Sequence, residues 1–207
     1  MTQERKRGSG AYEPRLVDTW TALHPTFRDF MSPDPHAIGL EIGCGAGALT
    51  QVLAPLAAAV HAVDVSAALL ARAQRRLSCS SLCFHRVAAF DRLPFQRDTF
   101  DFICSFDHFL GSTDLDRSIA ALAPYLKNGG FLAGVVLSRR SLPSAADLGR
   151  DPRVPPAARS LLAATPMARQ GGTDERGIEH ALLAAGLRAV RTIEALEGLL
   201  LMFKAYR

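Results

Sequence analysis

Residues 39–47 read Gly-Leu-Glu-Ile-Gly-Cys-Gly-Ala-Gly, an apolar strand pattern that runs directly into a glycine-rich turn. A helix pattern follows from Ala48 to Leu56. A strand that feeds a helix through such a turn presents backbone N–H groups at the helix start, and the missing side chains let a ligand approach the backbone. The stretch therefore predicts a ligand-binding strand–turn–helix unit of an α/β protein.

Strand and helix patterns alternate on both sides of this unit. The remaining predicted strands cover residues 60–65, 81–87, 100–106, 131–137, 187–196 and 199–206, and the first strand covers 37–42. The predicted helices cover residues 66–77 with Ser66 as the cap, 114–126 closed by Asn128-Gly129-Gly130, and 174–185. Nearly continuous apolar strands indicate a parallel sheet covered on both faces, and the short turn at Glu197-Gly198 permits only antiparallel pairing.

The chain of 207 residues suits one domain spanning 1–207. Within it we predict a disordered tail at 1–10 and a helical cap at 11–36, which Pro25 breaks or kinks. Residues 138–172 are rich in proline and arginine and interrupt the alternation of strands and helices. Long irregular insertions of this kind are typical of a functional lid.

Composition excludes several classes of protein. The 24 basic and 20 acidic residues leave a net charge of only +4, spread along the chain, which argues against a nucleic-acid partner. No apolar run approaches the ~20 residues of a membrane span, and the polar N-terminus does not resemble a secretory signal. The four cysteines lack zinc-ligand spacing: Cys44, Cys79, Cys83 and Cys104. We expect a cytoplasmic protein without a metal site or a membrane partner.

Two carboxylates narrow the choice of ligand. Gly43, Gly45 and Ala48 also satisfy the G-x-G-x-x-A fingerprint of dinucleotide binding, so an NAD-dependent oxidoreductase is one alternative. Glu41 precedes the first glycine by two residues, where its charge repels a pyrophosphate and attracts an ammonium or sulfonium group. Asp64 ends the second strand, where it suits the two hydroxyls of a ribose. The pattern therefore favours a cationic adenosyl ligand.

The sequence resembles the class I S-adenosylmethionine-dependent methyltransferases over about residues 37–206. The stretch 41–47 is similar to their E/D-x-G-x-G-x-G motif, and 60–66 is similar to the acidic motif of their second strand. Leu93-Pro94-Phe95 followed by Thr99-Phe100-Asp101 resembles the branch that includes ubiquinone and menaquinone methyltransferases. Two further matches follow, L-K-N-G-G at 126–130 and A-L-L-A-A-G-L-R-A-V at 181–190.

This resemblance implies a Rossmann-like three-layer sandwich with a seven-stranded, mostly parallel sheet in the order 3-2-1-4-5-7-6, strand 7 being antiparallel. It also implies S-adenosylmethionine as cofactor. The residues expected beside its methionine part are Glu41, Gly43, Cys44, Gly45 and Gly47. For the rest of the cofactor, the resemblance implies Asp64 at the ribose and Val65 on the adenine, with Ser105 and Phe106 lining the site. Ala89 and Phe90 replace the usual acidic or amide residue and Ala, so the backbone there, or Asp91, is expected to meet the adenine amine.

Methyl transfer from a sulfonium is an in-line displacement that depends mainly on alignment and exclusion of water. His108 follows the fourth strand, where ligands of open α/β sheets bind, and is the candidate base or acceptor contact. Trp20 and His24 lie one helical turn apart and are candidates to cap the site. Tyr12 and Arg15 are candidates to contact the cofactor carboxylate.

These observations favour an S-adenosylmethionine-dependent methyltransferase that acts on a small molecule, as a monomer or homodimer. One alternative uses the same cofactor but transfers or cyclises its aminocarboxypropyl group and releases methylthioadenosine. Another is a cofactor-binding protein without catalytic activity.

Overall fold

The computed structural model describes residues 23–110, 112–141, 152 and 172–207. The predicted tail at 1–10, the first part of the predicted cap at 11–36 and most of the predicted lid at 138–172 lie outside the described residues. So do three candidate site residues, Tyr12, Arg15 and Trp20.

Seven strands of the described chain form one sheet in the order β3-β2-β1-β4-β5-β7-β6. Strand β7 is antiparallel to both of its neighbours, and the other pairs are parallel. This confirms the predicted fold, strand order and terminal hairpin. The strands are β1 Ile38–Ile42, β2 Ala59–Asp64, β3 Leu82–Arg86, β4 Phe100–Ser105, β5 Leu126–Leu137, β6 Arg188–Ala195 and β7 Leu200–Tyr206.

The described residues include five α-helices: α1 His24–Met31, which precedes β1, then α2 Ala48–Leu53, α3 Ala67–Arg76, α4 Leu115–Leu122 and α5 Glu175–Ala184. Short 3-10 turns follow at Ala54–Leu56, Ala123–Tyr125 and Arg139–Ser141. The Ser66 hydroxyl accepts a hydrogen bond from the Leu69 amide, which confirms the predicted cap of α3. Asp114 and Asp174 cap α4 and α5 in the same way.

Helix α1 begins at His24, with Pro25 in its first turn. Proline is tolerated there because the first amides of a helix have no intrahelical partner, so Pro25 marks the start of this helix and does not kink it. The helix buries Phe27 and Met31 against the sheet. The buried Lys204 of β7 donates a hydrogen bond of 2.5 Å to the Met31 carbonyl and thereby joins the two elements.

Two predicted boundaries near β5 are wrong. We expected a helix to residue 126 and a strand from Phe131, but α4 ends at Leu122 and β5 begins at Leu126. Pro124 has no N–H to continue a helix, so the chain leaves α4 through a 3-10 turn. The Asn-Gly-Gly sequence at 128–130 lies where the register of β5 against β4 shifts, within the strand.

Gly39 in β1 allows Phe102 of the neighbouring β4 to pack across the sheet. A Cβ atom at position 39 would lie 2.0 Å from the ring carbon Cζ of Phe102, which is fully buried. We therefore expect Gly39→Ala to lower the free energy of unfolding by about 2 kcal/mol through overpacking. Chemical denaturation measures this loss. The double variant Gly39→Ala/Phe102→Leu should lose less than the sum of the two single variants, and strict additivity would contradict the packing explanation.

No helix in the part of the chain that the structure describes is long and apolar enough to cross a membrane. Among the same residues, no three His, Cys, Asp or Glu side chains group as metal ligands do. The four cysteines are free thiols.

Candidate functional site

The candidate site lies at the carboxyl ends of β1, β2 and β4, which are neighbours in the sheet. Each strand brings one carboxylate to this edge: Glu41 near the end of β1, Asp64 at the end of β2, and Asp107 two residues after β4. Ligands of open α/β sheets bind at this edge, so the topology assembles the site that the glycine turn indicates.

The amides of the glycine turn are already engaged by the protein. Gly43 and Cys44 donate to the Val63 carbonyl at 2.9 and 3.0 Å, and Gly45 donates to Oδ2 of Asp64 at 2.9 Å. These three amides are therefore not available to a ligand. They precede the start of α2 at Ala48, so the prediction of free N–H groups at the helix start is not tested by them.

The three glycines of the turn have positive φ angles, but they differ in their surroundings. A Cβ atom at Gly45 would have no neighbour within 4 Å, so a ligand can approach the backbone there. A Cβ atom at Gly47 would lie 2.7 Å from Cδ1 of Leu77, so this glycine serves the packing of the turn on the segment after α3. At Gly43 the nearest neighbour is the Phe90 ring, 3.9 Å away.

Both carboxylate oxygens of Asp64 are anchored. Oδ2 accepts from the Gly45 amide, and Oδ1 accepts from the Ser66 amide at 2.8 Å. Each oxygen retains a further lone pair, so the fixed carboxylate can accept hydrogen bonds from two ribose hydroxyls. The next residue, Val65, is 45% exposed and offers an apolar surface beside it.

Glu41 is buried, and the hydroxyl of Thr50 in α2 donates to its Oε2 at 2.6 Å. Burial, aided by the nearby charges of Asp107 and Asp64, raises the pKa of Glu41 to about 8 although the Thr50 hydrogen bond opposes the shift. Glu41 is thus mainly protonated at neutral pH without a cation beside it. A ligand ammonium group would favour its ionised form.

Cys44 contributes its backbone to the turn and its side chain to the core. The side chain is buried against Ala62 and Leu70. Burial raises the pKa of its thiol, so Cys44 has no thiolate character that would make it a nucleophile.

The loop after β4 is held by Ser105, which is fully buried. Its hydroxyl donates to the Ile42 carbonyl at 2.7 Å and accepts from the His108 amide at 3.0 Å, so it ties β1 to this loop. Phe106 is buried under α1, where its ring packs edge-on against His24 and Phe27 at 5.0 and 5.5 Å. The structure thus places both predicted residues beneath the site.

His108 borders a pocket of about 310 Å³, which Ala89, Phe90 and Asp91 also line. The imidazole packs on the Phe90 ring at 4.9 Å, and burial lowers the pKa of His108 to about 4, so it is neutral at pH 7. Asp91 forms an ion pair of 3.2 Å with Arg117 at this pocket.

The predicted residues therefore form three groups at one edge of the sheet. The turn and the end of β2 hold Glu41, Gly43, Cys44, Gly45, Gly47, Asp64 and Val65. The pocket holds Ala89, Phe90 and His108, and the supporting loop holds Ser105 and Phe106. Sequence reasoning missed Thr50 and gave Asp107 no role of its own.

Residues 40–134 match the methyltransferase domain family. The strand order with the antiparallel β7 is that of the class I S-adenosylmethionine-dependent methyltransferase fold, and the match supports S-adenosylmethionine as the cofactor. The open backbone at Gly45, the anchored Asp64 and the buried Glu41 fit that cofactor. No curated protein is significantly similar in sequence, and the ubiquinone and menaquinone branch stays a prediction.

Solved structures with low sequence identity show the same fold. An S-adenosylmethionine-dependent methyltransferase from Mesorhizobium loti is 18% identical, with a TM-score of 0.67 over 92% of this chain and 100% of that chain. The phosphoethanolamine N-methyltransferase 2 of Haemonchus contortus, solved with phosphomonomethylethanolamine and S-adenosylhomocysteine, is 15% identical. Its TM-score is 0.73 over 97% of this chain and 59% of that chain.

The fold alone does not determine the reaction. The [4+2]-cyclase SpnF shares it with a TM-score of 0.64 and 18% identity, over 90% of this chain and 81% of that chain. The reaction of the present protein must therefore be argued from its own site.

Proposed function

We propose that this protein transfers the methyl group of S-adenosylmethionine in line to a small-molecule acceptor. The observation that carries the proposal is the glycine turn itself. Its amides are bonded to Val63 and Asp64, while Glu41 and Asp64 place two carboxylates beside the open backbone of Gly45. This arrangement suits a ligand with ammonium and sulfonium groups and disfavours the pyrophosphate of NAD.

We assign the cofactor contacts accordingly. Asp64 accepts from the ribose, Val65 packs on the adenine, and Glu41 faces the ammonium group beside the Gly45 backbone. Ala89 and Phe90 meet the adenine amine through the backbone, since Asp91 is paired with Arg117. The cofactor supplies a methyl group that its sulfonium already activates, so the protein has to align the acceptor and exclude water.

The adenine and the acceptor share the pocket that His108 borders, because Ala89 and Phe90, which we assign to the adenine, also line it. The size of this pocket supports a small acceptor. Its volume of about 310 Å³ lies at the lower end of the range of small-molecule pockets. Phe90 and His108 give it an aromatic wall, and Ser112 lies on its lining. A neutral imidazole is a weak base but a good hydrogen-bond partner, so we assign His108 to contact with the acceptor.

His108→Ala is expected to reduce kcat/KM about tenfold, the effect of one lost hydrogen bond with its packing, and to leave the cofactor Kd within about twofold. Steady-state kinetics with an identified acceptor and calorimetric titration of S-adenosylhomocysteine measure the two quantities. A fully active variant would remove His108 from acceptor binding.

The proposed reaction is tested with S-adenosylmethionine labelled in its methyl group and a low-molecular-weight metabolite extract. We expect the label in a small molecule, with one equivalent of S-adenosylhomocysteine per transfer. Accumulation of methylthioadenosine would instead support transfer of the aminocarboxypropyl group. Binding of the cofactor without any product would support a non-catalytic role, and label in a macromolecule would contradict the small acceptor.

A further inference from the structure

A second cavity, of about 460 Å³, opens at the edge of the sheet opposite the cofactor site. Its wall includes the loop that leads into the amino end of β1, Asp101 near the amino end of β4, and parts of β5 and β7. We call it the amino-end cavity. The cofactor site lies at the carboxyl ends of β1 and β4, so the two sites use different residues and can be occupied together.

The wall of the amino-end cavity carries a buried cation, Lys204. Lys204 is only 7% exposed, and its Nζ lies 4.0 Å from the centroid of the Phe131 ring and 5.1 Å from that of Tyr206. The ammonium group has three N–H donors, of which one donates to the Met31 carbonyl. No salt bridge joins Lys204 to a carboxylate among the described residues. Buried lysines are normally paired, so the cavity presents a positive charge without a counterion.

The two carboxylates on the same wall do not supply that counterion. Both oxygens of Asp101 are engaged, since Lys127 donates to them at 2.9 and 2.8 Å and the Ile38 amide donates to Oδ2 at 2.8 Å. The ion pair with Lys127 leaves Asp101 with no net charge to offer. Asp34 is exposed to solvent, and its Oδ1 accepts from the amide of His36.

The remaining polar groups of the wall can donate hydrogen bonds to an anion, and they carry no charge. They include the Ser32 hydroxyl, the Asn128 amide and the Tyr206 hydroxyl. One buried ammonium group with neutral donors around it matches a single negative charge. A phosphate dianion would bring a second negative charge to a wall that also carries Asp34, so the arrangement favours a carboxylate. The rings of Phe131 and Tyr206 give the body of an organic acid an apolar surface.

We propose that the amino-end cavity binds a small organic carboxylate, whose negative group pairs with the ammonium group of Lys204. This site is separate from the cofactor site and does not depend on the methyl transfer proposed above. The ligand therefore binds whether the cofactor site is filled or empty.

Benzoate is the probe for this site, and benzamide is its neutral isostere. Phenyl phosphate, which carries nearly two charges at about pH 7.5, represents the phosphates. NMR titration of the isotope-labelled protein gives each Kd and also locates the ligand. The amides of Gly129 and Gly130 report on the cavity, and the amide of Gly45 reports on the cofactor site. The benzoate titration is repeated with saturating S-adenosylhomocysteine.

We expect benzoate to shift the Gly129 and Gly130 signals with a Kd in the millimolar range, at least about tenfold tighter than benzamide. Phenyl phosphate should bind more weakly than benzoate. S-adenosylhomocysteine should change the benzoate Kd less than about twofold, because the two sites share no residue. Absence of benzoate binding, equal binding of benzamide, or shifts at Gly45 alone would overturn the proposal. Tighter binding of phenyl phosphate would overturn the assignment to a carboxylate.

A variant of the lysine tests its role directly. Lys204→Met keeps an unbranched stem of similar length and removes the charge, a replacement that buried sites often tolerate. We expect it to weaken benzoate at least about tenfold and to change benzamide less than about twofold. Arg75→Met makes the same change of charge at an exposed position of α3 and should change neither Kd. Unchanged benzoate affinity in folded Lys204→Met would contradict the proposal. If this variant does not fold, Lys204→Arg, which keeps the cation, must still prefer benzoate to benzamide.

Discussion

Asp64→Ala is expected to weaken S-adenosylmethionine binding about 10- to 100-fold, corresponding to the loss of charge-assisted hydrogen bonds to the ribose. The substitution also removes the acceptor of the Gly45 and Ser66 amides, so the turn loses its fixed geometry. The lost ribose contacts and the loosened turn both weaken binding of the ligand. Calorimetric titration of the ligand measures the affinity.

Two variants separate these effects. Asp64→Asn keeps an oxygen acceptor for one amide but removes the charge, so we expect an affinity between those of Asp64→Ala and the unmodified protein. Asp116→Ala removes an exposed carboxylate outside the site and should bind normally. Unchanged affinity in Asp64→Ala would contradict the ribose assignment.

The affinity for S-adenosylmethionine is expected to rise nearly tenfold per pH unit between about pH 6 and 7, because Glu41 must ionise to face the ligand ammonium. The pKa of Glu41 is raised to about 8 by burial, so the ligand-free protein holds this proton across that range. Net release at pH 7 should be about 0.8 proton, measured by calorimetry in buffers of different ionisation enthalpy. The ligand's own α-ammonium has an ordinary pKa of about 7.7–8.0, so the rise in affinity flattens above about pH 7.

Glu41→Gln is the matched control, because its amide oxygen can still accept from Thr50 while it cannot titrate. We expect this variant to bind weakly, without proton release. A raised pKa in the folded state also means that stability is fully present below the unfolded pKa of about 4.5 and is lost as pH rises through 8. At pH 7 the unmodified ligand-free protein should therefore be less stable than Glu41→Gln by about 3 kcal/mol. A pH-independent affinity in the unmodified protein would contradict the assignment of Glu41.

The fold followed from the sequence because apolar strand patterns and glycine turns are local signals. The start of β5 could not be predicted from the sequence, because Asn-Gly-Gly at 128–130 has the composition of a helix end. In the structure Pro124 ends the helical segment earlier, and the glycines lie in a strand irregularity. Local composition cannot distinguish these two uses of glycine.

The places of Glu41 and Gly45 were predictable because one strand and its turn carry both, and that of Asp64 because it ends the next strand. The contacts between separate helices and strands could not be predicted. The hydrogen bond from Thr50 to Glu41 depends on how α2 packs, and the 3.0 Å contact between Nδ1 of His61 and Nε2 of His85 depends on the register of β2 and β3. Such contacts depend on the tertiary arrangement and leave no periodic signal in the sequence.

The roles within the loop after β4 were equally hidden. Ser105 and Asp107 are two polar residues of one short segment, and the sequence does not indicate which one is buried. In the structure the Ser105 hydroxyl is bonded to the backbone, whereas Asp107 is exposed.

Thermal melting with S-adenosylmethionine, S-adenosylhomocysteine, methylthioadenosine and NAD tests the central claim most directly. At ~100 times its Kd a ligand adds about 2.7 kcal/mol, which raises the Tm of a domain of this size by roughly 5–11 °C. We predict such a rise with S-adenosylmethionine and S-adenosylhomocysteine and none with NAD. A rise with NAD alone, or with none of the adenosyl ligands, would contradict a cofactor site at the glycine turn.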